Sequence, residues 1–215
     1  MEYLIFKEIE KNSISPEELD RMLEQGWRHF GKRFFKYNLN IHNGELCNVL
    51  PLRIDLEQFK LSKRYRKILK RNQKFHTVIK EVEINPEKIE LFEQHKLKFK
   101  YGIPKSIYDF LSKKPASVPC EALEFCVYDE RHLVAVSFLD LGRQVTSSVY
   151  GMYDLAYSNF SLGIYTMLLE IEYSIRNGRK YYYHGYCYDI SSFYDYKKKF
   201  EGVEFYDWRG NWKAL

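Results

Sequence analysis

QVTSSVYGMYDLAYSNFSLGIYTMLLEIEYSIRNGRKYYYHGYCY, residues 144–188, is the stretch on which the fold turns. Its first eleven residues are rich in Val, Thr and Tyr and read as a strand. From Ser161 to Asn177, Leu162, Tyr165, Leu168, Leu169, Ile171 and Ile175 recur at helical spacing, and Gly178 supplies the stop. Lys180–Tyr188 is extended again. Immediately upstream, LEFCVYD (123–129), a turn at Glu130-Arg131-His132, LVAVSFLDL (133–141) and a turn at Gly142-Arg143 give two more strands joined by short hairpins. Three antiparallel strands, a helix and a strand place the chain in the α+β class, with a mixed, mostly antiparallel sheet and flanking helices.

Further out, Ser15-Pro16-Glu17-Glu18 combines an N-cap serine, a proline at the first helical position and a glutamate at the third. That capping box opens a short helix to about Gln25, which Gly26 ends. WRHFGKRFFKYNL (27–39) alternates around Gly31, and VLPLRIDL (49–56) reads as a strand interrupted by Pro51. These elements form a small N-terminal α/β subdomain over residues 1–58, ahead of a main domain over 59–215. Ser62 caps a helix over Lys63–Gln73, further helices are expected over 86–99 and 105–111, and a Pro-rich loop follows over 113–119.

Composition bounds the function. An aromatic fraction of 17%, from 19 Tyr, 15 Phe and 3 Trp, is that of a folded chain. The four cysteines, Cys47, Cys120, Cys126 and Cys187, are scattered without a Cys-x-x-Cys pair, so no metal site and no disulfide framework is expected. No apolar run is long enough to span a bilayer, and the first residues lack a signal-peptide pattern, which leads to the expectation of a cytoplasmic protein without membrane contact. The net charge of +5 is local in origin: Lys60, Lys63, Arg64, Arg66, Lys67, Lys70, Arg71, Lys74 and Lys80 crowd a segment with no Asp or Glu. A helix carrying Tyr65, Ile68 and Leu69 on one face and those cations on the others suits a phosphate backbone.

Three segments, CNVLPLRIDLEQFKLSKRYRKILKRN (47–72), SFLDLGRQVTSSVYGMYD (137–154) and SLGIYTMLLEIEYSIRNGRKYYYHGYCYDISSFYDYKKKF (161–200), resemble successive motifs of the arginyl- and leucyl-tRNA-protein transferase family. The resemblance runs from about Gly26 to Trp208. It implies a GNAT-type N-acyltransferase core, in which two central strands splay to admit the donor. It also implies transfer of Arg or Leu from charged tRNA to the amino terminus of an acceptor protein with an acidic first residue, a tag for degradation. Partners are then an aminoacyl-tRNA and an acceptor N-terminus, with no cofactor beyond the charged tRNA as co-substrate. The family's cysteine-rich N-terminal motif is reduced to Cys47, His184 stands where Leu is usual, and Asp195 replaces a Met ahead of the Tyr-Lys pair.

The chemistry fits what the residues lack. Forming a peptide bond from an aminoacyl ester needs a neutral amine, a positioned carbonyl and oxyanion stabilisation, not a protein nucleophile. No Ser/His/Asp or Cys/His spacing is present. An acyl-CoA-dependent N-acyltransferase on the same fold, or a non-catalytic tRNA-binding relative, are the alternatives. The loop before the long helix has one glycine, Gly163, and no arginine, a poor cradle for a CoA pyrophosphate. Candidate catalytic residues are Asp140, Tyr150 and His184. Asp140 is placed to hold the donor α-ammonium, or simply to pair with Arg143. Candidate substrate-binding residues are Ser147, Ser148, Ser161, Leu162, Gly163, Tyr183, Gly185, Tyr186, Tyr196 and Lys197. Lys63, Arg64, Arg66, Lys67, Lys70 and Arg71 are assigned to tRNA phosphates or, for one of the arginines, to the acceptor's carboxylate, and Lys197 to charge on the tRNA terminus or on that carboxylate.

Overall fold

A computed structural model describes residues 4–100 and 102–215. In chain order the elements are β1 (Phe6–Glu10), α1 (Pro16–Glu24), β2 (Arg28–Phe30), β3 (Arg33–Tyr37), β4 (Leu39–His42), β5 (Glu45–Asp55), α2 (Lys63–Asn72), β6 (His76–Glu81), α3 (Pro86–His95), β7 (Ala122–Asp129), β8 (His132–Leu141), β9 (Val145–Tyr153), α4 (Leu162–Arg176), β10 (Tyr181–Tyr188), β11 (Val203–Tyr206) and β12 (Trp212–Ala214).

The large sheet runs β12-β11-β5-β10-β9-β8-β7-β6, with β4 added to one end of β5. Every pairing in it is antiparallel except β9 with β10. That exception follows from connectivity, because α4 carries the chain back across the sheet before β10 begins. Helices cover both faces. Phe125 and Val127 of β7 enter the cluster made with Tyr65 and Ile68 of α2 and Leu168 and Ile171 of α4. Cys126, between them, points the other way, to Leu91 and Phe92 of α3. A second, three-stranded sheet, β1-β3-β2, packs with α1 through Leu19, Leu23 and Phe34 onto Val145 and Tyr183. It lies on the face away from α2 and α4.

Several local expectations change. Ser15 caps α1 by accepting from Glu18 N, but Glu18 turns outward to Lys11 at 2.7 Å, so the box is half made. Pro51 does not interrupt β5: β4 covers the strand up to Asn48 and β11 begins at Leu52, so Pro51 sits where neither neighbour needs its missing N–H. The helix expected over 105–111 is a single 3₁₀ turn, Ile107–Asp109, closed by a Ser106/Asp109 capping box. β6, β11 and β12 carry too short or too charged a pattern to read as strands, and they form because edges of the sheet are available to them. None of the helices described is long and apolar enough to cross a membrane.

Candidate active site

Between β9 and β10 the sheet forks. Tyr181, Tyr182 and Tyr183 pair with Val145, Thr146 and Ser147, and there the ladder stops. Each arm keeps its outer partner, β9 with β8 as far as Tyr153 and β10 with β5 as far as Tyr188. The cause of the fork is a pair of bulges directly after the last paired residues. β8 passes from Phe138 opposite Tyr150 to Leu139 opposite Ser148, which leaves Val149 as the extra residue on β9. β5 passes from Arg53 opposite Tyr183 to Leu52 opposite Gly185, which leaves His184 as the extra residue on β10. A bulge bends its strand and adds twist, and two of them at the same level turn the arms apart.

The N-terminal hairpin fills one side of this gap. Arg28, at the start of β2, is 8% exposed and reaches into the fork, where it donates to Ser148 O at 2.8 Å, Ser147 Oγ at 3.2 Å and Val149 O at 3.4 Å. From the other arm, Lys197 donates to Tyr186 O at 3.2 Å. Carbonyls that lost their ladder partners at the fork are thus held by two cations. Gly185 makes this possible: at φ +98° it is in a region that favours glycine, and a Cβ there would lie 2.9 Å from Lys197 Nζ and 3.4 Å from an Arg28 terminal nitrogen. Burial, and then the nearby Arg28, push the Lys197 ammonium down to about 7.

The catalytic candidates fall in different places. Asp140, 3% exposed, is held by His29 Nε2 at 2.6 Å rather than by Arg143, and His29 in turn contacts Gly31 O and stacks on Phe34. It therefore clamps the residue next to Arg28. Tyr150 lies flat on Phe110, ring centroids 3.9 Å apart, with a buried hydroxyl that burial pushes above its usual range and that has no partner. His184 is buried, donates from Nε2 to Lys197 O at 3.1 Å, and is pushed down to about 3 by burial and by Lys197, so the ring is neutral.

Of the binding candidates, Ser147 and Ser148 sit at the fork. Tyr183 contacts Arg53 through its hydroxyl, Tyr186 donates to Gly26 O at 2.6 Å, and Tyr196 packs on the α2–α4 cluster. Ser161 is left-handed, φ 56°, and makes no side-chain cap; its carbonyl accepts from Ile164 and Tyr165 instead. Leu162 is buried, and Gly163 lies against Tyr153. The first amides of α4 consequently have no intrahelical partner and open at the same end of the sheet as the fork. On α2, Lys63, Arg64, Arg66, Lys67, Lys70 and Arg71 are all exposed. The C-terminal end of that helix touches the turn ahead of α4, through Asn72 to Phe160 O and Arg71 to Asn159 O.

Sequence reading missed Arg28, His29 and Glu170. Arg28 and His29 give no local signal, since their partners are more than a hundred residues away. Glu170 sat unremarked on the α4 stripe; it is fully buried, bonded by the Tyr182 hydroxyl, and raised to about 7 by burial, with Oε1 left without a partner. Ligand atoms of His29, Cys120 and Asp140 lie within 4.8 Å of one another. The 2.6 Å contact between His29 and Asp140 is a hydrogen bond, and burial raises the Cys120 thiol, so the trio is arranged as a polar clamp.

Comparison with known proteins adds the following. The family model described as arginine-tRNA-protein transferase, C terminus, matches residues 57–207, and the one described as arginine-tRNA-protein transferase, N terminus, matches residues 2–67. The aspartate/glutamate leucyltransferase of Helicobacter hepaticus is 27% identical over 209 residues, covering 93% of this chain and 83% of that protein. The protein of the same name from Campylobacter jejuni is 26% identical over 204 residues, covering 87% and 82%. Among solved structures, the crystal structure of FemX superposes with a TM-score of 0.52 at 11% identity, covering 89% of this chain and 65% of that one, a likeness of fold alone.

Proposed function

The chain belongs to the arginine-tRNA-protein transferase family, and from that premise we propose that it moves leucine from charged tRNA onto the N-terminal amine of proteins that begin with Asp or Glu. The fork between β9 and β10 is the observation that carries the reading, because an aminoacyl ester needs a slot between strand edges rather than a nucleophile. The core is then of the GNAT type. Residues 59–215 bind the donor and carry the chemistry, and residues 1–58 cover the acceptor side, with β5 threading the two together.

In this scheme the exposed cations of α2 hold tRNA phosphates, and the terminal ribose approaches the free amides of Leu162 and Gly163 beside Ser161. The acceptor nitrogen attacks the leucyl carbonyl carbon; the new C–N bond forms, the ester C–O bond breaks, and the nitrogen's proton passes to the departing ribose oxygen. Where the β9–β10 ladder stops at Ser147 and Tyr183, the backbone N–H groups just beyond it are the candidates to stabilise the oxyanion. Glu170, with a spare oxygen on the donor face, suits the leucyl α-ammonium better than Asp140, which is taken by His29. Asp140 then acts as a positioning residue, Tyr150 and Tyr196 as walls, and His184, neutral and beside Lys197, as a hydrogen-bonding neighbour of the reacting amine. Tyr183 and Tyr186 hold β10 in place. Nothing in the reaction calls for a cofactor, and a co-substrate made in the cytoplasm places the enzyme there.

The test is a panel of labelled leucyl-, arginyl- and other aminoacyl-tRNAs with peptides starting with Asp, Glu, Arg or Lys. Leucine is expected in the Asp and Glu peptides. Label taken from acetyl-CoA instead, or tRNA bound with no transfer to any peptide, would overturn the reading.

A further inference from the structure

Among the described residues, the two other buried Arg and Lys side chains are neutralised. Arg53 meets Glu204 at 2.6 Å, and Lys88 meets Glu124 at 2.7 Å. Arg28 and Lys197 are different. Among the described residues neither belongs to an ion pair, and Asp140, the carboxylate that Arg28 feels, is engaged by His29. Their bonds go to strand carbonyls and one serine hydroxyl. Two like charges therefore converge on the Cα of Gly185 with no counter-ion, an arrangement that costs stability unless a ligand completes it. The guanidinium also has donors to spare, since three of its five N–H groups are used.

We propose that Arg28 and Lys197 together receive the side-chain carboxylate of the acceptor's first residue, which makes them the residues that select an acidic start. The inference deepens the transferase reading and rests on it. Position decides between the two available anions. Arg28 enters with the N-terminal hairpin, on the face away from α2 and α4, whereas the cations suited to tRNA phosphate lie on the α2 side. A carboxylate at the fork would also sit within reach of the reacting amine of the same residue, because the α-nitrogen of Asp or Glu is only a few bonds from its carboxylate. Burial first, and then Arg28, hold the Lys197 ammonium down; an acceptor carboxylate placed beside it favours the charged form, so acceptor binding and proton uptake at Lys197 are coupled.

The experiment compares wild type, Lys197→Met and Arg28→Gln on matched peptides starting with Asp or Asn, by steady-state leucine transfer and by fluorescence anisotropy of labelled peptide, with thermal unfolding as the fold control. In both variants KM for the Asp peptide should rise about 10²-fold while KM for leucyl-tRNA holds, so that the preference for Asp over Asn collapses. If Arg28→Gln does not fold, Lys197→Met alone decides. An Asp-to-Asn preference that survives in folded variants overturns the proposal, and so does a loss that falls on leucyl-tRNA, which would mark the pair as a phosphate site. Failure of wild type to transfer leucine counts against the function proposed above. Anisotropy still reads this proposal in that case: preferential binding of the Asp peptide, lost in the variants, supports it, and equal binding of both peptides ends it.

Discussion

The outer face of α2 and the pair Arg28–Lys197 are both positive and both lack acidic partners, yet they do different work. On α2 the charges are exposed and spread over three turns. Such a surface attracts phosphate through counter-ion release, tolerates changes one at a time, and is screened by salt. At the fork the two charges converge within contact of one glycine, away from most solvent, and their donors are fixed by strand carbonyls. There geometry and protonation state decide everything. Affinity of the first kind is additive; selectivity of the second kind behaves as a unit.

The sharpest way to break that contrast is Gly185→Ala. A methyl at φ +98° strains the backbone and presses on Lys197 Nζ at 2.9 Å, so the fork should lose about 1–3 kcal/mol of stability and leucine transfer to Asp peptides should fall by more than 10²-fold. Thermal unfolding and kcat/KM on the same preparation measure both. Transfer at wild-type efficiency would mean that the fork does not house the chemistry.

Asp140→Asn is next. It weakens the hold on His29 and hence on its neighbour Arg28 without touching α2. Roughly tenfold weaker Asp-peptide KM is expected, with about 1–3 kcal/mol lost from stability. A change confined to leucyl-tRNA would instead return Asp140 to the donor side.

pH sharpens the contrast further. Lys197 titrates near 7 in the folded chain, against the usual 10.5, with Arg28, Cys187, His184, Tyr186 and Tyr194 facing it. Above pH 7 the ammonium is progressively lost, so KM for an Asp peptide should climb by up to tenfold per pH unit in wild type and stay flat in Lys197→Met. Stability moves the other way: between about pH 7 and 10.5 the unfolded chain holds a proton that the native one lacks, so this group makes stability rise with pH across that window. A denaturation series at several pH values, wild type against Lys197→Met, separates the two signs.

Smallest of all is a single change on α2. Lys67→Ala should raise KM for leucyl-tRNA only two- to threefold and lower the slope of log K against log salt by about one. Peptide KM should not move. A large effect from this one lysine would make α2 a fixed contact rather than a distributed one.

How much of this could be read in advance depends on the range of the interactions. β7, β8, β9, α4 and β10 are legible because apolar residues recur at strand or helix spacing within each segment, and the cap at Ser62 marks α2 within a residue. Lys197 and Gly185 were identified through a family motif. Arg28 was not, because nothing around Trp27-Arg28-His29 differs from an ordinary charged strand end; its meaning comes from carbonyls 120 and 121 residues further along the chain. Glu170 hid for a related reason, since a carboxylate on a helix stripe reads as the solvent edge until Tyr182 is seen against it.

The sequence by itself determined the α+β class, the order of the central elements and the position of the basic helix, since these follow from side-chain periodicity and local charge. Only the tertiary structure decided that β9 and β10 run parallel and then part, that both bulge at one level, and that an arginine from the N-terminal hairpin and a lysine from beyond β10 meet in the gap. A register shift is a relation between two chains of backbone carbonyls and amides, which no single segment encodes. The site arises from that relation.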